Sequence, residues 1–177
     1  MPPAESAGSA SPSAAPIIAT AVASTTTIAV AESLTGGEVV SALVAVPGAS
    51  AVLRGGIVAY DTRLKASLLG VDADLLARVG AVHPQVALAM AAGVRRACAV
   101  DGRDADLGIA TTGVAGPDPQ DGRPVGLVYV AVDDADGGVV EEHRFDGGRA
   151  AIRAAATAAA LRLAADRLGA QPARGGA

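Results

Sequence analysis

Three residues of this chain could carry out nucleophilic chemistry together: a serine, a lysine and a tyrosine. Ser33 stands where a β-branched, apolar stretch gives way to the small residues Thr35-Gly36-Gly37, a pattern typical of a strand followed by the start of a helix. Lys65 is the one lysine among 14 basic residues, and a desolvated lysine can lose its proton whereas an arginine cannot. Tyr60 is the last residue of the strand predicted over residues 54–60, five positions before Lys65. These residues predict a hydrolytic site in which neutral Lys65 takes the Ser33 proton and the hydroxyl attacks a carbonyl.

Each of these three residues also has an ordinary structural explanation. Serine beside threonine and glycine is common at the junction between a strand and a helix. A single lysine fits a solvated helix face, and Tyr60 fits a half-buried position on a strand. The residue types alone therefore leave both explanations open.

A second group of residues could contact a substrate close to Ser33. Backbone N–H groups at a helix start suit a developing oxyanion or a bound phosphate. The loop over residues 113–124 is rich in glycine and proline and is long enough to indicate function. An arginine at the start of the last predicted helix could reach a phosphate, although a solvated arginine is also common there. The predicted substrate contacts are Thr35, Gly36, Gly37, Thr112, Gly113 and Arg149.

The elements that position these residues are predicted from hydrophobic periodicity and turn signals. Strands are predicted over residues 25–31, 54–60, 107–112, 125–132 and 139–145, and helices over 17–24, 36–46, 61–69, 72–79, 84–100 and 149–168. Strands that alternate with helices, together with one hairpin, indicate a three-layer α/β/α sandwich with a mixed, mainly parallel central sheet. Loops at the carboxyl ends of the strands gather into one crevice in such folds. The loops after residues 31, 60 and 112 should therefore meet.

The sequence shows no other catalytic or metal-binding pattern. His83 precedes a proline at a helix start and His143 lies among charged residues on a strand, so both are predicted to be structural. Cys98 lies in an apolar run and is predicted to be a buried thiol. With two histidines, one cysteine and no H-x-x-x-H or C-x-x-C spacing, we predict neither a metal nor a cofactor.

Length, charge and composition narrow the class of protein further. A chain of 177 residues with 51% hydrophobic residues predicts one globular domain, over residues 17–169, with disordered tails over residues 1–16 and 170–177. A net charge of −4 gives no electrostatic signal for nucleic acid or an anionic membrane surface. The uncharged stretch between Glu5 and Glu32 lacks both the basic start of a secretory signal and the apolarity of a spanning helix. We therefore predict a cytoplasmic protein with no nucleic-acid or membrane partner.

These blocks, in this order, resemble the nicotinamide-nucleotide amidohydrolase family, also known as the PncC or CinA C-terminal domain family. The matching blocks are AESLTGG (31–37), VPGAS (46–50), GGIVAY (55–60) with Lys65, LGV (69–71), GAV (80–82), TGVAGP (112–117), PVGLVY (124–129) and GGR (147–149) with Ile152-Arg153. The resemblance covers roughly residues 25–168 and is specific because it consists of so many ordered blocks.

The resemblance implies hydrolysis of the carboxamide of nicotinamide mononucleotide, without metal, to nicotinic acid mononucleotide and ammonia. It places the family's serine nucleophile on Ser33, its lysine on Lys65 and its tyrosine on Tyr60. It also implies a homodimer and a role in salvage of pyridine nucleotides. An alternative is a non-catalytic module that binds a nucleotide or a partner protein, since the family is associated with competence and DNA-damage proteins.

Three features depart from the family pattern. Leu34 replaces the cysteine that usually follows the serine, which should not affect the nucleophile. The loop over residues 118–123 is short and has Arg123 where a lysine is usual, which changes the substrate rim. The amino-terminal helix is expected to be truncated, and the larger amino-terminal domain of full-length CinA proteins has no counterpart, so its activity is not expected here.

Overall fold

A five-stranded sheet forms the centre of the computed structural model, which describes residues 14–170. The strands are β1 (Ile28–Glu32), β2 (Leu53–Val58), β3 (Leu107–Gly113), β4 (Leu127–Asp134) and β5 (Gly137–Arg144), and their order in the sheet is β2-β1-β3-β4-β5. β1 pairs in parallel with β2 and β3, whereas β3-β4 and β4-β5 are antiparallel. The predicted mixed sheet is confirmed, although parallel and antiparallel pairings are equal in number.

Helices cover both faces of the sheet, as the predicted three-layer sandwich requires. They are α1 (Ala15–Ser24), α2 (Glu38–Val44), α3 (Thr62–Leu69), α4 (Ala73–Val79), α5 (Pro84–Ala97) and α6 (Arg149–Leu168), with a 3-10 turn at Ala49–Ala51. Ile28 and Val30 of β1 pack on one face with α1, α2 and α6. Ala29 and Ala31 pack on the other face with α3, α4 and α5. Because side chains alternate along a strand, β1 contributes to both halves of the core.

Glycines let the helices approach each other and the sheet closely. A Cβ added at Gly93 of α5 would lie 1.9 Å from the Leu69 carbonyl oxygen at the end of α3. A Cβ added at Gly108 of β3 would lie 2.0 Å from the Ala91 carbonyl oxygen. Since real carbon and oxygen atoms cannot approach so closely, only glycine is compatible with this packing. α5 thereby packs closely against both the sheet and α3, the helix that carries Lys65.

The first helix begins two residues inside the predicted amino-terminal tail. α1 starts at Ala15, and Pro16 lies in its first turn, where a missing N–H and a fixed φ suit a helix start. The rest of the predicted tails, residues 1–13 and 171–177, lies outside the described residues. Across residues 14–170, no helix is both long and apolar enough to cross a membrane.

Candidate active site

Ser33 and Lys65 lie in direct contact, although they belong to different elements. Ser33 follows the last residue of β1, and Lys65 lies on α3, which begins beyond the neighbouring strand β2. The Lys65 amine Nζ is 3.1 Å from Ser33 Oγ and donates to the Ala59 carbonyl oxygen at 2.7 Å. Parallel pairing of β1 with β2 brings their carboxyl ends to one edge of the sheet. The structure thus brings the two predicted catalytic residues together.

The surroundings of Lys65 favour its neutral form. Its side chain is fully buried, with 0% of its surface exposed. Burial lowers the pKa of Lys65 from 10.5 to about 8, while the charge of Asp61 opposes that shift. A neutral amine can accept the Ser33 proton, which reverses the direction of their hydrogen bond. A pKa near the pH of reaction suits Lys65 as a general base.

Glu32 occupies the helix start that was expected to bind a substrate oxygen. Its carboxylate is fully buried and accepts hydrogen bonds from the backbone N–H groups of Gly37, Val39 and Val40 at 2.9, 3.2 and 2.9 Å. The carboxylate therefore fills the position at the start of α2 where an anion would bind. This role is not evident from the sequence, although Glu32 is the first charged residue after a run of 26 uncharged residues that follows Glu5.

The expectation for Gly36 and Gly37 must be corrected for this reason. The Gly37 N–H donates to Glu32, and the Gly36 N–H donates to the Ser33 carbonyl oxygen at 3.1 Å. Both groups are thus already bonded. Neither glycine lies along the pocket that contains Ser33. Their positive φ angles, 62° and 104°, instead shape the turn between β1 and α2.

Thr35 contacts β3 in the protein interior and does not line the pocket. Its side chain is fully buried, and its hydroxyl lies 2.7 Å from the hydroxyl of Thr111 on β3. The Thr111 carbonyl oxygen accepts the Ser33 N–H at 3.1 Å. The predicted substrate contact at the Thr35 side chain is therefore corrected, because that hydroxyl is used within the protein. The two threonines hold the Ser33 turn on β3.

The other predicted residues line one pocket, with a cavity volume of about 130 Å³, that opens to solvent. They are Ser33, Tyr60, Lys65, Thr112, Gly113 and Arg149. The Thr112 hydroxyl donates to the Ala81 carbonyl oxygen at 2.8 Å, so β3 is tied to the segment after α4. The loop that follows β3 forms a further wall of the pocket through Asp118 and Gln120. The predicted meeting of the loops at this edge of the sheet is confirmed.

Tyr60 and Arg149 form the rim of this pocket. Arg149 donates to the Tyr60 hydroxyl and to the Gly116 carbonyl oxygen, each at 2.8 Å. Tyr60 is 58% exposed. Its hydroxyl is bonded to Arg149, while Lys65 bonds Ser33 and Ala59. The Tyr60 hydroxyl therefore lies at the pocket entrance, and its bonded partner is Arg149 and not Ser33 or Lys65.

Both histidines have structural partners, as predicted. The Nδ1 atom of His83 accepts the Gln85 N–H at 3.3 Å and so caps the start of α5. His143 bonds Glu141 at 2.9 Å and stacks on Phe145 with ring centroids 5.2 Å apart.

Cys98 is half-buried, and burial raises the pKa of its thiol. Over residues 14–170, no group of three or more histidine, cysteine, aspartate or glutamate side chains could hold a metal ion.

The fold and the site define a three-layer α/β domain with a buried serine–lysine pair at the carboxyl edge of its parallel strands. Residues 11–168 match the family profile of the CinA C-terminal domain, and the chain belongs to that family. The CinA-like protein of Frankia casuarinae is 52% identical over 137 residues, which cover 77% of this chain. That match spans 30% of the Frankia protein, so this chain corresponds to about a third of such a relative.

Solved structures of the same superfamily share the fold. The competence/damage inducible protein CihA of Agrobacterium tumefaciens matches with a TM-score of 0.80 and 36% identity, and the match covers 88% of this chain and 93% of that chain. The CinA superfamily protein of Klebsiella pneumoniae 700603 matches with a TM-score of 0.82 and 29% identity, covering 88% and 95%. The fold described here is therefore that of the CinA superfamily.

Proposed function

We propose that this domain is an amidohydrolase that deamidates nicotinamide mononucleotide to nicotinic acid mononucleotide and ammonia. Ser33 is the nucleophile and Lys65 the general base, and the reaction uses no metal or cofactor. The contact between the buried Lys65 amine and Ser33 Oγ, at 3.1 Å, carries this proposal. A lysine on a solvated face, far from the serine, would instead have favoured a binding module.

The proposed reaction has two halves. In the first, Ser33 Oγ attacks the carboxamide carbon and its proton passes to Lys65 Nζ. The Lys65 ammonium then donates that proton to the departing nitrogen, so ammonia leaves and an ester remains on Ser33. In the second half, Lys65 takes a proton from water, the water oxygen attacks the ester, and the proton returns to Ser33 Oγ as the acid departs. Such proton transfer contributes on the order of 10²- to 10⁴-fold to the rate.

The substrate class rests on the family resemblance and on the charge of the pocket. Arg149 at the rim supplies a fixed positive charge close to the entrance, which suits a substrate that carries a phosphate. Thr112 and Gly113 at the wall are the proposed contacts for the remainder of the nucleotide.

Ammonia release from nicotinamide mononucleotide tests the proposal directly. The native protein should release ammonia at the same rate with and without a metal chelator. Ser33→Ala and Lys65→Arg should each reduce the rate by about 10³-fold or more, because the nucleophile and base act as one unit. Circular dichroism should show that both variants fold. Undiminished turnover by Ser33→Ala would exclude this mechanism, and nucleotide binding without any ammonia would instead support the binding module.

The assembly state and the location of the protein also stay predictions. We propose a homodimer, as the family resemblance implies, and a cytoplasmic location. Size-exclusion chromatography with light scattering at several protein concentrations would test the dimer. A mass of one protomer at all concentrations would contradict it.

A further inference from the structure

The turn that follows the nucleophile contains two backbone N–H groups without a partner. In the described part of the chain, no acceptor is bonded to the N–H of Leu34 or of Thr35, whereas the flanking N–H groups of Ser33 and Gly36 are bonded to Thr111 and Ser33. Leu34 lines the same pocket as Ser33 and Lys65. Unpaired backbone donors next to a nucleophile are what a developing oxyanion requires.

The carbonyl groups of this turn are held by a side chain from a different element. Arg153 of α6 donates from Nε to the Leu34 carbonyl oxygen at 2.9 Å and from its terminal nitrogen to the Thr35 carbonyl oxygen at 2.8 Å. The guanidinium group is itself fixed by an ion pair with Glu38 at 2.7 Å. Thr157 donates to the other Glu38 oxygen at 3.2 Å. A planar guanidinium that bonds two carbonyl groups and one carboxylate holds the turn in one orientation.

The direction of these bonds determines where the free N–H groups point. In a trans peptide the C=O and the following N–H point in opposite directions. α6 packs on one face of the sheet, and α3, which carries Lys65, packs on the other. Arg153 draws the Leu34 and Thr35 carbonyls towards α6 and so holds the turn from that side. The Ser33 carbonyl, which belongs to the same peptide as the Leu34 N–H, accepts the Gly36 N–H and so fixes the direction of the Leu34 N–H. A Cβ added at Gly36 would lie 3.4 Å from the Arg153 guanidinium, an ordinary contact, so glycine is favoured there by its φ of 62° and not by lack of space.

We infer that the Leu34 N–H, the unpaired donor that lines the pocket, forms the oxyanion hole and that Arg153 is the positioning residue that holds its turn in place. This inference rests on the proposed role of Ser33 as nucleophile, but it does not depend on which carboxamide is the substrate. Arg153 touches neither Ser33 nor Lys65. It acts through the backbone of the turn, on the side of the sheet opposite the general base.

A fluorophosphonate probe measures this arrangement without any assumption about the substrate. Ser33 Oγ attacks phosphorus, the phosphorus–fluorine bond breaks, fluoride leaves, and the serine proton passes through Lys65 to solvent. The phosphoryl oxygen occupies the oxyanion hole in this reaction, so the labelling rate reports how well the Leu34 N–H is aligned. Mass spectrometry of the labelled peptide identifies Ser33 as the site, and Ser33→Ala supplies the blank.

Arg153→Ala should slow labelling by about 10- to 100-fold, less than the loss of a whole donor because the turn keeps its other bonds. Arg153→Lys should fall between that variant and the native protein, since an ammonium group cannot bond both carbonyl oxygens in the same planar geometry. Arg167→Ala is the matched control: Arg167 lies on the same helix, pairs with Asp134 and bonds the Gly137 carbonyl oxygen, but has no contact with the turn. Arg167→Ala should lower the melting temperature comparably and leave the labelling rate within about 2-fold.

The outcomes separate this inference from the proposed substrate. Labelling of folded Arg153→Ala at the native rate, or an equal slowing in Arg167→Ala, would overturn the positioning role. A native protein that is not labelled at Ser33 would overturn both the nucleophile and the oxyanion hole. A native protein that is labelled, with the expected slowing in Arg153→Ala, but that releases no ammonia from nicotinamide mononucleotide would exclude that substrate and support the oxyanion hole.

Discussion

The Lys65 amine lies 3.1 Å from the Ser33 hydroxyl oxygen, although the two residues are 32 positions apart in sequence and are separated by α2, β2 and the start of α3. Lys65 is fully buried, yet none of the ion pairs found within residues 14–170 involves it. Its amine bonds an uncharged hydroxyl and an uncharged carbonyl group. An ammonium ion at this position therefore lacks a counter-ion in contact with it, so burial lowers the pKa of Lys65 and the more distant charge of Asp61 offsets only part of that shift.

The first prediction is a pH profile governed by Lys65. Its pKa is lowered to about 8, and only the neutral amine can accept the Ser33 proton. The value of kcat/KM for deamidation should therefore rise about tenfold per pH unit below pH 8 and level off above it. Initial rates between pH 6.5 and 9.5 at constant ionic strength test this and avoid the phosphate ionisation near pH 6. A rate that does not change with pH across this range would contradict Lys65 as the base.

The second prediction is that replacement of Lys65 stabilises the fold while it removes activity. In the unfolded chain Lys65 holds its proton up to about pH 10.4, whereas in the folded protein its pKa is about 8. Unfolding between these values takes up a proton, so the native free energy of unfolding should rise with pH across that window. Below pH 8 the native fold bears the full penalty for the buried charge.

Lys65→Met has a similar length and no charge, so it isolates this penalty. At pH 7 it should raise the free energy of unfolding by about 2 kcal/mol, after a loss of about 1 kcal/mol for the unpaired Ala59 carbonyl group. The gain should shrink towards pH 10, where both proteins are uncharged at this position when folded. Urea unfolding of both proteins at pH 7 and pH 10 measures the difference. A gain that is equal at the two pH values would show that ionisation is not its source.

Much of the architecture follows from sequence periodicity. The alternation of strands and helices places β1, β2 and β3 side by side, and Lys65 and Tyr60 follow β2 in the chain, so their proximity to Ser33 follows from parallel pairing of these strands. Apolar runs over β3 and β4 correctly indicated strands covered on both faces. These features depend on periods of two and 3.6 residues, which a sequence shows directly.

The hydrogen-bond partners within the site could not be predicted in the same way. Whether Gly37 offers its N–H to a substrate or to Glu32 depends on the rotamer of one buried side chain. Arg153 was visible only as part of a matching block, because its role requires α6 to lie over the turn after β1. Such contacts arise from tertiary packing between elements distant in sequence, and no local pattern encodes them.

The third prediction concerns Glu32 as the internal cap of α2. Glu32→Ala would leave three backbone N–H groups at the start of α2 without their acceptor. Each unsatisfied buried donor costs about 1–3 kcal/mol, so the variant should lose about 3–5 kcal/mol when partial hydration is allowed for. Glu32→Gln keeps one acceptor oxygen and should lose about 1–2 kcal/mol. Urea unfolding at pH 7 measures both values.

Asp72 provides the comparison for this effect. Its side chain accepts a single N–H, from Leu75, at an exposed helix start. Asp72→Ala should cost about 1 kcal/mol, as is usual for an exposed cap. If Glu32→Ala lowered the free energy of unfolding by no more than Asp72→Ala, water would be replacing the Glu32 carboxylate. That result would contradict the conclusion that the carboxylate closes the start of α2 to other anions.

The fourth prediction separates the rim of the pocket from its catalytic centre. Tyr60→Phe and Arg149→Ala each remove one partner of the hydrogen bond between the two side chains. Both residues lie at the entrance, so each change should raise KM for nicotinamide mononucleotide by about 5- to 20-fold and leave kcat within about 3-fold. The double variant should be scarcely worse than Arg149→Ala, because the two side chains act as one unit with a coupling of about 1 kcal/mol. Arg144→Ala, which removes an exposed arginine paired with Glu142, should leave both constants unchanged.

A different effect of Tyr60→Phe on kcat and KM would assign Tyr60 another role. If Tyr60→Phe lowered kcat by 100-fold or more with KM unchanged, its hydroxyl would have to reach the reacting atoms in the complex, and Arg149 would serve to hold it there. In that case Arg149→Ala should reproduce the loss in kcat, because the hydroxyl would lose the partner that fixes it. The bond from Arg149 to the Gly116 carbonyl oxygen already holds the guanidinium at the rim, and the Tyr60 hydroxyl bonds that guanidinium, while Lys65 bonds Ser33 and Ala59. We therefore expect the rim to govern substrate affinity and the buried pair to govern turnover.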